Sequence, residues 1–201
     1  MKRWQFAISV LLLWLYVSCA SAYRQNTAAW QAQTTLKVQE YALQSNDEKA
    51  YIQLGKTPLT VLVFLSPECP LCKNYSLVLN RLQETFGSQV RFYGIVPGRT
   101  YSTSDVRQYV TAYKIQFPVW VDRQKALSNH VKATTTPEVI LSAKSGSLIY
   151  RGAIDDWVQA LGRKKAAPQQ HYLEDAITRY LQNKDVLVKQ TPPIGCLINE
   201  F

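Results

Sequence analysis

The sequence is poor in the residues that build metal centres and disulfide frameworks. Its 201 residues include four cysteines and two histidines. A zinc site built on one Cys-x-x-Cys pair needs a second pair of ligands, and after residue 22 only Cys196, His130 and His171 are left to supply it. These residues stand singly and far apart in the sequence. We therefore predict neither a metal nor another cofactor.

Long apolar runs and concentrated basic charge are also missing. The apolar stretch Phe6–Val17 is shorter than the ~20 residues that a membrane-spanning helix requires. The formal net charge is +9, but the densest basic cluster is only Arg163-Lys164-Lys165, as in many solvated loops. Basic residues interleaved with aromatic ones, which typify nucleic-acid surfaces, are absent from the sequence. We predict no permanent membrane span and no nucleic-acid partner.

The first 22 residues have the pattern of an export signal. Lys2 and Arg3 give a positive start before the apolar stretch, and Ala20-Ser21-Ala22 has the small-x-small pattern that signal peptidase requires. We therefore predict a signal peptide over residues 1–22. The folded part is then periplasmic or in the cell envelope, where disulfides persist.

A lipoprotein is the alternative to a cleaved signal. Val17-Ser18-Cys19 resembles the end of a lipoprotein box, in which Cys19 becomes the lipidated first residue. Tyr16 departs from that pattern, because such boxes usually carry an aliphatic residue there. Contact with the membrane is expected only if Cys19 is lipidated.

Hydrophobic patterning predicts one α/β domain over residues 38–183, after a polar lead-in segment at 23–37 and before a tail at 184–201. The alternation of strands and helices in the middle of the chain indicates parallel pairing. The predicted elements are a hairpin (38–43 and 50–54), strands at 59–65, 90–96 and 117–121, helices from Cys72 to Gly87, at 102–113 and at 123–131, a second hairpin (138–142 and 147–151) and a terminal helix at 169–181.

Two cysteines stand at the junction between a predicted strand and a predicted helix. Cys69 and Cys72 are separated by two residues, so they can close a small disulfide ring on the first helical turn. Unpaired backbone N–H groups at a helix start stabilise a thiolate, and Pro70 suits that turn because its missing N–H is not needed there. The pattern predicts that Cys69 is the nucleophile. Cys72, one turn further in and less exposed, then attacks the mixed disulfide.

A third cysteine remains in the mature protein if cleavage follows Ala22. Three cysteines cannot all form intramolecular bridges, so at least one is free, reactive or shared with a partner. Cys196 serves as a resolving cysteine if it approaches Cys69, and the preceding Gly195 would allow a close turn. The alternatives are a lone thiol on a flexible tail and an intermolecular bridge.

Residues 38–183 resemble the thioredoxin fold. This resemblance rests on the strand that ends in the segment Phe64–Cys72, on a later Thr136-Pro137 before a strand and hairpin, and on the βα order between them. More narrowly, four motifs are similar to those of exported redoxin-domain proteins of the alkyl hydroperoxide reductase/thiol-specific antioxidant group. These motifs are Glu68-Cys69-Pro70-Leu71, Thr136-Pro137-Glu138-Val139, Arg151-Gly152-Ala153-Ile154-Asp155-Asp156 and Gly195-Cys196.

The resemblance implies a central mixed sheet flanked by helices, with an N-terminal hairpin and a C-terminal helix followed by a tail. It also implies that Pro137 is a cis-proline packed beside the cysteines and that Thr136 offers its backbone to an extended substrate chain. Two positions depart from related patterns. Val63 replaces the buried acid of thioredoxins, and Ser66 replaces the threonine that precedes the reactive cysteine of peroxiredoxins.

These features favour an exported thiol-disulfide oxidoreductase that acts on protein thiols or disulfides together with a redox partner protein. One alternative is a thiol peroxidase, in which Cys69 attacks a peroxide and Cys72 or Cys196 resolves the sulfenic acid. Another is a non-catalytic module for metal delivery or protein interaction. The expected site residues are Cys69, Cys72, Thr136, Pro137 and Cys196.

Overall fold

The computed structural model of the protein describes residues 43–45, 48–50 and 57–198. The predicted signal peptide, the possible lipidation site at Cys19 and the lead-in segment at 23–37 lie outside the described residues. Among the residues that are described, the helices lack the combination of length and apolar character that a bilayer span requires.

The elements follow one another in the order that the hydrophobic pattern predicts, with a few short strands added. The strands are β1 (Leu43–Ser45), β2 (Glu48–Ala50), β3 (Leu59–Phe64), β4 (Val90–Pro97), β5 (Val119–Asp122), β6 (Thr135–Thr136), β7 (Glu138–Ala143), β8 (Leu148–Gly152), β9 (Val158–Ala160), β10 (Arg163–Lys164) and β11 (Cys196–Leu197). The helices are α1 (Pro70–Phe86), α2 (Thr103–Ala112), α3 (Ala126–His130) and α4 (Tyr172–Leu181).

A mixed sheet organises the described part of the chain, with the strand order β2-β1-β5-β4-β3-β7-β8. Strand β3 lies parallel to β4, which lies parallel to β5, whereas β7 runs antiparallel to β3 and to β8. Every residue of β3 and of β7 is buried, because helices cover both faces of the sheet. The expected mixed sheet flanked by helices is therefore confirmed.

The two faces of the sheet build two separate parts of the core. Val61 and Val63 of β3 belong to the cluster that includes buried residues of α1, α2 and α4. Leu62 and Phe64 point the other way and pack in a cluster with residues such as Leu127 of α3. This alternation follows from the two-residue period of a strand, and it holds β3 rigidly where the chain passes into α1.

The described strands of the N-terminal hairpin extend into residues 44–49, which the sequence pattern left between the two predicted strands. Strands β1 and β2 pair antiparallel, with Leu43 opposite Ala50 and Ser45 opposite Glu48. Gln44 of β1 is also the partner of Val121 in β5, which adds the hairpin to the sheet. The predicted outer parts of the hairpin, at 38–42 and 51–54, lie outside the described residues.

Helix α1 begins directly after Cys69 and has Pro70 at its first position. Its buried face includes Leu79 and Leu82. Leu77, by contrast, is 76% exposed. Leu77 lies two residues before Leu79, and positions two apart face different sides of a helix.

The leucines of α1 offer a matched test of this packing. Leu79 is 1% exposed and Leu77 is 76% exposed. We expect Leu79→Ala to lower the free energy of unfolding by about 2–5 kcal/mol, since it removes buried methyl groups and leaves a cavity. Leu77→Ala should stay within about 0.5 kcal/mol of the parent. Urea unfolding of both variants, followed by circular dichroism, measures the difference, and equal losses would contradict the assigned faces.

Candidate functional site

The two cysteines of the Cys-x-x-Cys pair lie where the central strand passes into the first helix. Cys69 is the N-cap residue of α1 and has extended backbone angles, with φ −68° and ψ 116°. Cys72 lies in the first turn, where its sulfur accepts a hydrogen bond from the backbone N–H of Ser66 at 3.4 Å. The first turn of α1 carries no acidic residue. The positive end of the helix dipole is therefore left to stabilise negative charge on Cys69.

The hydrogen bonds among the sulfur atoms make the two thiols unequal. The Cys72 thiol donates to the sulfur of Cys69 and makes the largest contribution to its lowered pKa. Together with a hydrogen bond from the Cys196 thiol, it lowers the pKa of Cys69 to about 4 against the opposing effect of burial. Burial raises the pKa of Cys72 well above its ordinary value, as does its bond to Cys69. Cys69 is therefore the thiolate of the pair, and Cys72 is the protonated thiol.

The Thr136-Pro137 pair faces the cysteines from the other side of the site. Its peptide bond is cis, as the resemblance implies, and both residues are buried. The carbonyl oxygen of Thr136 lies 3.2 Å from the sulfur of Cys69. A thiol at Cys69 donates to this oxygen, whereas a thiolate instead accepts the hydrogen bonds from Cys72 and Cys196. The structure thus brings Thr136 and Pro137 together with the cysteine pair.

Cys196 also lies in this site, although it is 127 residues further along the chain than Cys69. Strand β11 pairs antiparallel with β6, and this pairing sets Cys196 opposite Thr136. The Cys196 sulfur lies 2.7 Å from that of Cys69, within hydrogen-bond reach. Burial and the charge on Cys69 both raise the pKa of Cys196 to about 11. Of the three placements left open by the sequence, the structure shows the approach to Cys69.

Both cysteines of the pair are buried. Cys72 is 0% and Cys69 is 2% exposed, so the structure keeps the predicted order but leaves little of the nucleophile's surface open. Cys72 is covered by the core of the domain. Cys69 has the C-terminal strand in contact with its sulfur. Little of the Cys69 sulfur is therefore accessible while the tail lies against it.

A buried ion pair supports the loop that carries Thr136 and Pro137. Glu138 is fully buried, and its carboxylate accepts a hydrogen bond from Arg151 at 2.6 Å. The other carboxylate oxygen accepts the backbone N–H of Thr134 at 2.9 Å, and Arg151 also donates to the carbonyl oxygen of Lys132. A buried carboxylate needs such partners, because an unpaired one is costly. The ion pair therefore holds the backbone on both sides of β6.

Hydroxyl groups tie the first turn of α1 to the rest of the site. Tyr109 of α2 donates a hydrogen bond to the carbonyl oxygen of Cys72 at 3.2 Å. The hydroxyls of Ser66 and Tyr101 share a bond of 3.0 Å, and Tyr101 also donates to Glu68 at 3.4 Å. None of these bonds was predicted, because patterning indicates only a helix at 102–113, which includes Tyr109 but not Tyr101.

The two histidines that were considered as metal ligands lie at different places in the fold. His130 ends α3 and His171 precedes α4. Across residues 57–198 and the two short strands before them, the structure shows no group of three or more histidine, cysteine or acidic side chains that could hold a metal ion. The arrangement at Cys69 is suited to sulfur chemistry instead.

Most of the chain is similar to a known protein family. The model of the AhpC/TSA family matches residues 18–153, which is more than half of the chain. That match covers both cysteines of the pair and the cis-proline, and it ends before α4 and the tail with Cys196. No curated protein matches the chain significantly.

Solved structures share the fold at low sequence identity. A conserved protein from Geobacillus kaustophilus superposes with a TM-score of 0.70 at 22% identity, over 80% of this chain and 88% of that one. A protein from Sinorhizobium meliloti gives 0.66 at 22% identity, over 78% and 88%. A thioredoxin-like protein in its oxidized form gives 0.54 at 20% identity, over 76% and 95%. The fold is therefore thioredoxin-like, and with the family match the chain belongs to the AhpC/TSA family of redoxin-domain oxidoreductases.

Proposed function

We propose that the protein is an exported thiol-disulfide oxidoreductase that works with the redox pair Cys69-Pro70-Leu71-Cys72. The observation that carries this proposal is the pairing of a stabilised thiolate at Cys69 with a protonated thiol at Cys72. The thiolate is the form that attacks a disulfide. A neighbouring thiol in the first helical turn is placed to complete the exchange.

The exchange proceeds in two balanced steps. The Cys69 thiolate attacks one sulfur of a partner disulfide, the partner S–S bond breaks, and one partner sulfur leaves as a thiolate that takes up a proton. Cys72 then loses its proton and attacks the Cys69 sulfur, which releases the second partner thiol and leaves a Cys69–Cys72 disulfide. The partner is reduced by two electrons, and the reverse sequence oxidises a dithiol.

The first step also prepares the second. The hydrogen bond to Cys69 and the charge on Cys69 both help to raise the pKa of Cys72, although burial contributes most. Formation of the mixed disulfide removes that charge. The pKa of Cys72 should then fall, so that its proton is lost more easily when its attack is needed. Tyr109 and the backbone N–H of Ser66 hold Cys72 in place for this step.

Export and the division of the chain form part of the same proposal. The charged start, apolar stretch and Ala20-Ser21-Ala22 motif support a signal peptide over 1–22. The domain at 38–183 is followed by the tail at 184–201, and the last helix ends at Leu181. A processed lipoprotein with Cys19 as its first residue is the alternative. The intact mass of the mature protein distinguishes cleavage after Ala22 from lipidation.

The contact between Cys69 and Cys196 supports a second candidate, a thiol peroxidase. The Cys69 thiolate attacks one oxygen of a peroxide, the O–O bond breaks, and the other oxygen leaves as an alkoxide or hydroxide that takes up a proton from solvent. Cys196 then attacks the sulfenic acid, releases water and forms a Cys69–Cys196 disulfide. The separation of 2.7 Å between the two sulfur atoms favours Cys196 as the resolving cysteine in this reaction.

Substitution of the three cysteines tests the oxidoreductase. Cys69→Ser should lower insulin reduction by at least about a hundredfold, since loss of a nucleophile removes the whole reaction. Cys72→Ser should retain the first step and accumulate a mixed disulfide with insulin, visible on a non-reducing gel. Cys196→Ser is the matched control and should keep turning over. If Cys72→Ser turned over like the parent protein, the proposed pair would be wrong.

Peroxide tests the second candidate on the same variants. Stopped-flow fluorescence with hydrogen peroxide should show oxidation of Cys69 within seconds if the protein is a peroxidase. The oxidised Cys72→Ser variant should then contain a Cys69–Cys196 disulfide, as measured by peptide mass spectrometry. In Cys196→Ser the sulfenic acid should persist or be resolved by Cys72. Rates no faster than those of a free thiol would exclude peroxidase activity.

A further inference from the structure

The tail that carries Cys196 is anchored to the domain before it reaches the site. Arg151 donates its backbone N–H to the carbonyl oxygen of Lys189, and Thr191 donates its own to the carbonyl oxygen of Arg151. The hydroxyl of Thr191 accepts the backbone N–H of Ala153 at 2.9 Å. Gly152 has φ +130°, and a Cβ there would lie 2.0 Å from the carbonyl oxygen of Thr191. Glycine at this position therefore leaves room for the anchored tail.

Beyond the anchor, the tail adds a short strand to the edge of β6. Cys196 is opposite Thr136 and Leu197 is opposite Thr135. The backbone N–H of Ile198 donates to the carbonyl oxygen of Thr134 at 2.9 Å. The Thr136 hydroxyl donates to the carbonyl oxygen of Cys196 at 3.3 Å. Backbone pairing of this kind is how an extended peptide is held at a strand edge.

The docked strand occupies the place that a partner sulfur needs. Cys69 is 2% exposed, and the sulfur of Cys196 lies 2.7 Å from its own. The other sides of the Cys69 sulfur are taken by the Cys72 thiol and the carbonyl oxygen of Thr136. A partner disulfide can therefore reach Cys69 only where Cys196 now lies.

We infer that the segment Gly195–Ile198 is a tethered pseudosubstrate, which occupies the binding place of the partner chain. The partner presents an extended Gly-Cys-x-aliphatic segment that displaces the tail. This inference rests on the proposed function, because it concerns access to the same nucleophile. It adds that the tail competes with the partner for access to Cys69 and that the partner has a preferred sequence.

The preferred sequence follows from the contacts of each tail residue. A Cβ on Gly195 would lie 2.0 Å from the carbonyl oxygen of Thr136, so the groove admits only glycine before the cysteine. Leu197 is 75% exposed, and the groove therefore places little demand on that position. Ile198 packs against the core cluster that contains Phe64, which favours an aliphatic residue two positions after the cysteine.

The anchor makes the tail an effective competitor. Few residues separate Thr191 from Cys196, and Pro192-Pro193 restrict the chain between them. A short tether gives the docked segment an effective concentration on the order of millimolar. A partner in solution therefore reacts slowly until the tail leaves, in proportion to the undocked fraction.

Activated peptides test this inference on the full-length mature protein with Cys196→Ser, whose tail cannot react. Each peptide carries its cysteine as a mixed disulfide with nitrothiobenzoate. The Cys69 thiolate attacks the peptide sulfur, forms a protein–peptide disulfide and releases coloured nitrothiobenzoate, whose absorbance gives the rate. The peptides contain Gly-Cys-Leu-Ile, Ala-Cys-Leu-Ile or Gly-Cys-Leu-Asn. Three further variants are made in the same Cys196→Ser protein. Gly195→Ala and Ile198→Asn are designed to undock the tail, and Leu187→Ala, which changes a 74% exposed side chain, is the control.

We expect Gly195→Ala and Ile198→Asn to raise the rate of nitrothiobenzoate release at least about fivefold, because the docked tail occupies the site most of the time in the Cys196→Ser protein. Leu187→Ala should leave it unchanged. The Gly-Cys-Leu-Ile peptide should react at least about fivefold faster than the Ala-Cys-Leu-Ile peptide, the smallest penalty expected for an extra methyl in a close contact. The Gly-Cys-Leu-Asn peptide should be slower as well. Thermal unfolding of each variant confirms that the domain is intact.

Unchanged rates in both undocking variants would overturn the tethered competitor. Equal rates for the three peptides would overturn the preferred sequence. Neither result would contradict the proposed function. That function would instead be contradicted if Cys69 in the undocked variants did not react with any activated disulfide.

Discussion

The stabilisation of a thiolate at Cys69 is the interaction on which the other features of the site depend. It arises from the start of α1, the thiol of Cys72 and the thiol of Cys196. Each contribution needs a fixed geometry, because hydrogen bonds to sulfur weaken quickly with distance and angle. The buried strand β3 provides that rigidity before the site, and the bond from Tyr109 to Cys72 provides it within the first helical turn.

The opposite wall of the site is built differently, since it consists of a short strand rather than a helix end. Glu138 and Arg151 form a buried ion pair that fixes the backbone around β6. Such pairs add little net stability, but breaking one by removing a single partner is costly. Their value here is positional, because β6 is the edge that receives β11 and brings Cys196 to the nucleophile. Reactivity and access are thus controlled from two sides of the same sulfur.

Local patterns were sufficient to predict most of the fold and the cysteine pair. The apolar run of β3 and the proline after Cys69 act within a few positions of the chain, and both lead to the elements that they predict. Strands β9 and β10 were missed because they are very short, and β10 is formed by the exposed pair Arg163–Lys164. The position of Cys196 could not be derived from local patterns either. It depends on backbone bonds between the tail and two distant strands, and these leave no periodic signal in the sequence.

The most direct test of the account is a pH titration of the Cys69 thiolate in the mature protein, followed by its ultraviolet absorbance in the Cys196→Ser background and again with Cys72→Ser. A lowered pKa means that the thiolate is present above that pKa and is lost as the pH falls through it. We expect a midpoint well below the ordinary 9.0 in Cys196→Ser, although above the value of about 4 that the Cys196 thiol helps to produce in the parent protein, and a still higher midpoint once the Cys72 thiol is removed. A Cys69 that titrates near the ordinary value of 9.0 in both proteins would contradict it.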